Sequence, residues 1–502
     1  MSAATLSSRI LGMVRDMVAA AYFPPFVTDA YLVAFKLPNL FRRVLGEGSL
    51  AASFVPMYVE KLHREGHESA QRFSSAVFSM LTALTATLSV LGVVFMPVIM
   101  SYFVSGQGYM QIEGKLELTV FLARIMFGFL FLVTTYAFLM SVANAHKVFF
   151  VPAMAPALFN VATIVFAFLP TWIVPGDQLA WGVMVGGLLQ VAIALWPLRL
   201  LKALPRLTRH WGGPGIKRFF QVLLPSMAGM SIAQLLGVLN VNFASRLGQG
   251  THSYIYFADR ILEFPQSLLS VSLGVALLPT LSEMWGKGEK NRFMETSERH
   301  MRLLLTLSLP AAVGIYVLAE PIIRVVFGRG EFGPEAISST AQVLSIYSVV
   351  LVFSGLHRVL VPAFYAAQNT WWPAANSAFC LVVHYFVGSW AVDTHGLPGL
   401  IAATAFTGAL NFLILVISFR IFFGEIRLLG LIKSALWLAP SLVAMAFVAQ
   451  QSLSVVSRSW GEIIGLGVSI GLAVAVFFLV NAVLRHPEAR EILGLIRRRA
   501  RR

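Results

Sequence analysis

The sequence predicts an all-α polytopic membrane protein of about 14 transmembrane helices, arranged as two pseudo-symmetric six-helix lobes plus two C-terminal helices. Three observations carry that expectation. Hydrophobic residues make up 57% of the chain and charged residues only 12%, with a mean hydropathy of +0.76; soluble domains carry about 25% charged residues. Apolar stretches recur at the length of roughly 20 residues that a helix needs to cross a bilayer. The chain also repeats itself. Lys36 to Phe73 and Asp259 to Phe293 each run from a charged or polar helix start, through a mid-helix Pro and an FVP or LLP triplet, to a charged loop closing on RF.

Pro56 and Pro279 lie 223 positions apart. A second matched pair, FLMSVANAHKVFFVPA and VPAFYAAQNTWWPA, sets Pro152 and Pro373 at a separation of 221. Six helices separate the copies, so both have the same orientation and an axis along the membrane normal relates them. Such repeat folds place substrate sites near the midplane. Helices 1 and 2 are then expected to face helices 7 and 8.

In chain order the expected spans of the first lobe (1–210) are 5–23, 28–58, 73–103, 117–143, 149–170 and 178–200. Those of the second (211–425) are 217–246, 251–284, 300–327, 337–366, 372–392 and 397–422. Spans 431–453 and 462–484 (within 426–485) fall outside the repeat, and 486–502 is a basic tail. Alternate connections mark the boundaries. Lys61, Arg64 and Arg72 follow span 2; Lys147 follows span 4; Arg199, Lys202, Arg206, Arg209, Lys217 and Arg218 follow span 6. Lys287 to Arg302 follow span 8, Arg420, Arg427 and Lys433 follow span 12, and Arg485 opens the tail. The opposite connections hold few basic residues: Lys115, Arg246, Arg324, Arg329 and Arg458. By the positive-inside rule both termini are cytoplasmic, which requires an even helix count.

This distribution accounts for the net charge of +15 without a nucleic-acid partner. The tail HPEAREILGLIRRRARR reads as an anchor against an anionic inner leaflet. No cleavable signal peptide is expected. The single cysteine, Cys380, lies in an apolar run and reads as an ordinary buried thiol, which excludes an internal disulfide.

The first two spans are the least apolar, because they hold Arg9, Arg15, Asp16, Asp29, Lys36, Arg42, Arg43 and Glu47. A basic side chain at a helix centre costs roughly 2.5–3.5 kcal/mol to insert, so such groups face a bundle interior or a water-filled cavity. Five basic groups gathered this way imply a cavity for an anion. On helix 2, Asp29, Lys36, Asn39, Arg43 and Glu47 share one face at 3.6 residues per turn. Arg42 falls about 100° away, but Pro38 reorients the following turn, so phasing does not choose between Arg42 and Arg43. The alternative reading is interhelical glue, since acids and bases nearly balance.

On helix 8, Asp259, Arg260 and Glu263 allow an Arg260–Glu263 pair. That pair either holds the guanidinium until a substrate competes or merely neutralises itself. Arg9 either joins the cavity or snorkels to the interface. No HExxH, GxSxG, Walker A or EF-hand pattern occurs, and the outward connections are short. No cofactor or metal site is expected.

The stretches SRILGMVRD (8–16), TDAYLVAFKLPNLFRRVLGEGSLAASFVP (28–56) and YFADRILEFPQSLLSVSLGVALLPTLS (256–282) resemble the lipid II flippase family (MurJ/MviN) of the multidrug/oligosaccharidyl-lipid/polysaccharide exporter superfamily. The resemblance covers essentially the whole chain. It implies fourteen helices, two lobes around a cationic cavity, and a groove at helices 13 and 14 for a polyprenyl tail. By motif position it assigns substrate-binding roles to Arg9, Arg15, Arg42 and Arg260, favouring Arg42 over Arg43, and to Asp29, Lys36, Asn39, Glu47, Ser253, Asp259 and Glu263. Some relatives bind Na⁺ among helices 7, 11 and 12; here Asn376 and Cys380 stand on helix 11 without a carboxylate.

The expected activity is translocation of lipid II, an undecaprenyl-pyrophosphate-linked disaccharide-peptide, from the inner to the outer leaflet of a bacterial inner membrane by alternating access, with no bond chemistry. Membrane lipids and cell-wall synthesis proteins are the other candidate partners. The alternative within the same superfamily is a drug or cation exporter, which would need an aromatic, acidic site where this one is net basic, or another polysaccharide-lipid exporter. A membrane-embedded glycosyltransferase would need an outward-facing catalytic acid or base. The candidates there, Glu113, Glu117, Asp177 and Asp393, are scattered singly.

Overall fold

The computed structural model describes residues 2–46, 49–212, 214–425 and 428–500. Among them every regular element is helical. The helices are α1 (Ser2–Tyr22), α2 (Pro25–Phe41), a π-helical turn (Arg42–Gly46), α3 (Ser49–Arg64), α4 (His67–Phe103), α5 (Gln107–Met110), α6 (Lys115–Phe127), α7 (Phe129–Ala145), α8 (Phe150–Ala167) and α9 (Asp177–Leu200). They continue with α10 (Pro214–Ala244), α11 (Thr251–Gly286), α12 (Lys290–Phe327), α13 (Pro334–Ala366), α14 (Trp371–Phe422), α15 (Leu428–Trp460), α16 (Glu462–Val483) and α17 (Pro487–Ala500).

Eight stretches among the described residues are long and apolar enough to cross a membrane: α4, α6 with α7, α9, α12, α13, α14, α15 and α16. Of the others, α1 carries Arg9, Arg15 and Asp16 and α2 has only 17 residues, while α11 carries Asp259, Arg260 and Glu263 near its start. The chain is therefore a multi-pass helical membrane protein whose first and eighth sequence segments are marked by charge.

Two expected spans, 372–392 and 397–422, run through one element, α14, of 52 residues. A straight helix of that length would measure about 78 Å, against roughly 30 Å of hydrocarbon. Gly396 breaks it, with φ 60° and ψ −140°. A methyl group added to Gly399 would overlap the carbonyl oxygen of Ala391, which a straight helix would hold about 12 Å away. The chain doubles back there. Proline sets the other bends: Pro38 lies one turn before the π-helical turn, and Pro321 follows the kink at Leu318 in α12, because proline removes a ladder hydrogen bond and crowds the preceding turn.

The chain divides into two compact units, one of residues 1–253 with 329–332, the other of 254–328 with 333–502. Among the described residues the first unit shows two apolar cores. Ala30, Val33 and Ala34 of α2 pack with Leu122, Ala123 and Met126 of α6, Phe129 of α7, Phe159 of α8 and Val183 of α9. Leu50, Phe54 and Tyr58 of α3 pack with Phe73 and Val77 of α4, Phe138 of α7, Leu198 of α9 and Phe219 of α10. Small residues bring backbones together: Gly186 of α9 sits directly under Phe159 of α8.

In the second unit, Leu281 of α11, Phe293 and Leu304 of α12, Leu360 and Phe364 of α13 and Phe419 of α14 form one core. Leu318 of α12, Leu438 and Met445 of α15 and Phe477 of α16 form another. Large apolar side chains left exposed, such as Val94 and Phe95 on α4 or Ile463 and Leu479 on α16, suit a lipid-facing surface.

Candidate functional site

In the first unit the charged groups of α1 and α2 separate into three clusters. Arg15 is half-buried on α1. Its Nη2 and Nε donate to Asp16 Oδ1 at 2.8 and 3.0 Å, and its Nη1 donates to Asn160 Oδ1 on α8 at 3.3 Å. Asn160 Nδ2 in turn donates to the Ser8 carbonyl at 2.9 Å, so one amide fixes both the guanidinium and the α1 backbone. Arg9, six residues earlier, is exposed and forms no ion pair among the described residues.

The second cluster surrounds the end of α2. Arg42 Nε donates to Asn39 Oδ1 at 2.8 Å. Pro38 precedes the π-helical turn over Arg42–Gly46, and a π-helical turn shifts the phase of everything after it. Arg42 and Arg43 are both half-buried, which ideal 3.6-residue phasing did not anticipate. Lys36, one turn earlier, is also half-buried and rests on α10: a methyl group at Gly237 would stand 3.5 Å from its Nζ. Glu47 lies outside the described residues.

The third cluster is fully buried. Asp29 forms an ion pair with Lys115 Nζ at 2.8 Å, and both side chains are sealed from solvent. The same carboxylate accepts from the Gly250 N–H at 2.6 Å, the Ser253 N–H at 2.8 Å and the Ser253 hydroxyl at 2.6 Å. Thr28 and Ser253 bring their hydroxyls to 3.0 Å. The Lys115 ammonium also lies 4.5 Å from the Tyr109 ring centre. A buried charge pair is tolerable only when its remaining lone pairs and protons are satisfied, and Gly250 and Ser253 supply that satisfaction.

Lys115 was read from sequence as one basic residue of an outward connection. It is instead the first residue of α6 and the counter-ion of Asp29, because Gly114, with φ 72°, turns the chain inward just before it. Asn160 was missed as well, since an uncharged residue in an apolar run gives no charge signal. Asn242 donates from Nδ2 to the Tyr102 carbonyl at 3.2 Å and to Ser105 Oγ at 3.0 Å, tying the end of α10 to the end of α4.

In the second unit, Arg260 Nη1 donates to Glu263 Oε2 at 2.7 Å, with both side chains partly exposed. Asp259 beside them is exposed. Cys380 is buried, its thiol 3.8 Å from Asn376 Oδ1. Among the described residues no group of three or more His, Cys, Asp or Glu side chains stands close enough together to hold a metal.

The Arg15, Arg42 and Arg260 guanidiniums therefore sit in helices at partial burial, held by carboxylate and amide oxygens of Asp16, Asn160, Asn39 and Glu263. A family described as lipid II flippase MurJ matches residues 18–477. The chain belongs to that family. Within the MurJ family, a probable lipid II flippase from Bdellovibrio bacteriovorus is 40% identical over 489 residues, covering 96% of this chain and 93% of the relative. A lipid II flippase from Burkholderia cenocepacia is 34% identical, covering 83% and 82%.

The fold matches a structure of lipid II flippase MurJ in an inward closed conformation, with a TM-score of 0.81 at 24% identity over 98% of this chain and 99% of that one. It also matches an inward-facing multidrug resistance MATE family transporter of the MOP superfamily, with a TM-score of 0.68 at 14% identity over 85% and 96%. A MurJ-family fold thus carries the arginines described above.

Proposed function

We propose that this chain is a flippase that moves lipid II from the inner to the outer leaflet of the bacterial inner membrane. Family membership, with the motif positions Arg15, Arg42 and Arg260 occupied by arginine, is the observation that carries the reading. A pyrophosphate crossing hydrocarbon must exchange water for other donors, and guanidinium groups provide charge-assisted, bidentate ones. In the free carrier those donors engage Asp16 and Asn160, Asn39, and Glu263. An incoming pyrophosphate carries more charge than any one of these acceptors and displaces it. No bond is made or broken; the carrier exposes its arginines first to one side of the membrane and then to the other.

The proposal includes fourteen crossings with both termini cytoplasmic, as the basic connections favour. The reversal at Gly396 supports counting α14 twice. It also includes the lobes 1–210 and 211–425, with 426–485 carrying the lipid-tail groove. The buried Asp29 cluster fits a closure on the side of the membrane opposite the basic connections, one that opens during transport. The test is the purified chain in liposomes holding labelled lipid II, with outer-leaflet headgroup scored by an impermeant reagent. Headgroup transfer without change in the lipid's mass is expected. Absence of transfer by a folded protein, or polymerised or cleaved product, would overturn the reading.

A further inference from the structure

The segment joining α9 to α10 is an extended strap whose register is set by one face of α4. His67, Gln71, Ser75 and Ser79 stand four residues apart and share that face. Gln71 Nε2 donates to the Leu204 carbonyl at 3.2 Å, Ser75 Oγ accepts from the Arg206 N–H at 3.0 Å, and Ser79 Oγ accepts from the Thr208 N–H at 2.8 Å. His67 Nε2 lies 3.3 Å from the Lys202 carbonyl oxygen. Two residues of extended chain advance about 6.7 Å, close to one helical turn plus the slack of a side chain, so strap and helix stay in step.

Between this strap, the end of α3 and the starts of α4 and α10 lies a cavity of about 660 Å³. Its charged lining is Lys61, Glu68, Arg72 and Arg206, with His210 beside them. Lys61 is already paired with Glu65 at 3.0 Å. The Ser69 hydroxyl and the Lys61 ammonium hold the Glu65 carboxyl below its ordinary range, with Arg72 adding to the effect. The Arg206 guanidinium has no carboxylate partner among the described residues; only its backbone is engaged.

Leu207, which lines the cavity, is 73% exposed, and Trp211, between the lining residues His210 and Gly212, is 50% exposed. They follow α9, a helix able to cross the membrane, so this cationic pocket opens at a membrane interface. Basic pockets between transmembrane helices at that level suit lipid headgroups, and tryptophan favours the same depth.

We propose that this pocket binds the phosphate headgroup of an acidic membrane phospholipid, with Arg72 and Arg206 on the phosphate and Leu207 and Trp211 among its acyl chains. A freely soluble phosphate would use the cations but gain nothing from Leu207 and Trp211. The strap is thereby tied to the bilayer as well as to α4.

The test is native mass spectrometry of the full chain titrated with phosphatidylglycerol, with phosphatidylcholine, and with phosphatidylglycerol in the presence of inorganic pyrophosphate. No lipid II is present, so the result is independent of translocation. R72Q/R206Q is expected to bind phosphatidylglycerol roughly thirtyfold more weakly, and Arg206→Gln alone about fivefold, with phosphatidylcholine unaffected. The single variant breaks no ion pair, so it reports even where the double variant does not fold. Unchanged phosphatidylglycerol binding, or equal losses in the distant control K433Q/R458Q, would overturn the site. Displacement by pyrophosphate at concentrations comparable to the lipid would overturn the lipid assignment.

Discussion

One carboxylate, Asp29, accepts from an ammonium, a hydroxyl and two main-chain N–H groups. Removing the ammonium strands a buried charge, and breaking a buried pair this way costs about 3–5 kcal/mol. Lys115→Met should therefore lower thermal stability in detergent by that order. Adding Asp29→Asn should restore part of it, because the amide removes the stranded charge while its oxygen still accepts from the Ser253 N–H and hydroxyl, at the cost of turning the amide nitrogen toward the Gly250 N–H. Equal unfolding temperatures for wild type and Lys115→Met would show that water reaches the pair. The arginines obey different logic. Arg15, Arg42 and Arg260 are only part-buried, so their alanine variants should insert normally yet fail to support cell-wall precursor export. Complementation by any of them at ordinary expression levels would remove that arginine from the site. Cys380→Ser should stay active, since its neighbour Asn376 accepts a hydroxyl as readily as a thiol.

At the scale of elements, the short α5 and the 245–248 turn lie so close that Gly106 and Gly108 have no room for a side chain. A methyl group on Gly108 would overlap the Leu247 carbonyl oxygen, which is backbone and cannot rotate away. Gly108→Ala should therefore push that turn aside, cost about 1–3 kcal/mol and loosen Gly250 from Asp29. Faster amide exchange at 245–253 is the readout, and wild-type protection there would refute the coupling. These elements also show what sequence reading reaches. Long apolar helices and the charges on α1, α2 and α11 were legible because hydropathy and intramembrane cost act residue by residue. Lys115 was not, because its burial depends on a left-handed glycine before it and a carboxylate far along the chain. Arg42 and Arg43 both stay half-buried in a π-helical turn that no fixed period describes, so phasing could not separate them. The strap along α4 was invisible because its partners, Ser75 and Ser79, look like ordinary small residues of a spanning helix.

At the scale of the whole molecule, the proposed transport moves charge. A pyrophosphate-linked head carries about two negative charges, and one charge crossing 100 mV is worth roughly 2.3 kcal/mol. With the cell interior negative, outward movement gains about 4–5 kcal/mol per 100 mV when the cavity charges stay fixed. Bound counter-ions or arginines that travel with the head reduce that gain. Any positive groups that move outward with the head are drawn back toward the negative interior, so the return of the empty carrier is assisted and reloading is favoured. On this proposal the basic connections would orient the chain in the field, and the arginines of α1, the π-helical turn and α11 would hold a head whose own charge responds to it. Membrane potential should therefore accelerate export. The measurement is headgroup flipping in proteoliposomes with the potential clamped by a K⁺ ionophore and the pH gradient dissipated separately. A rate that rises with inside-negative potential is expected. A rate unchanged when the potential collapses would mean that another ion gradient, or consumption of the product outside, sets the direction.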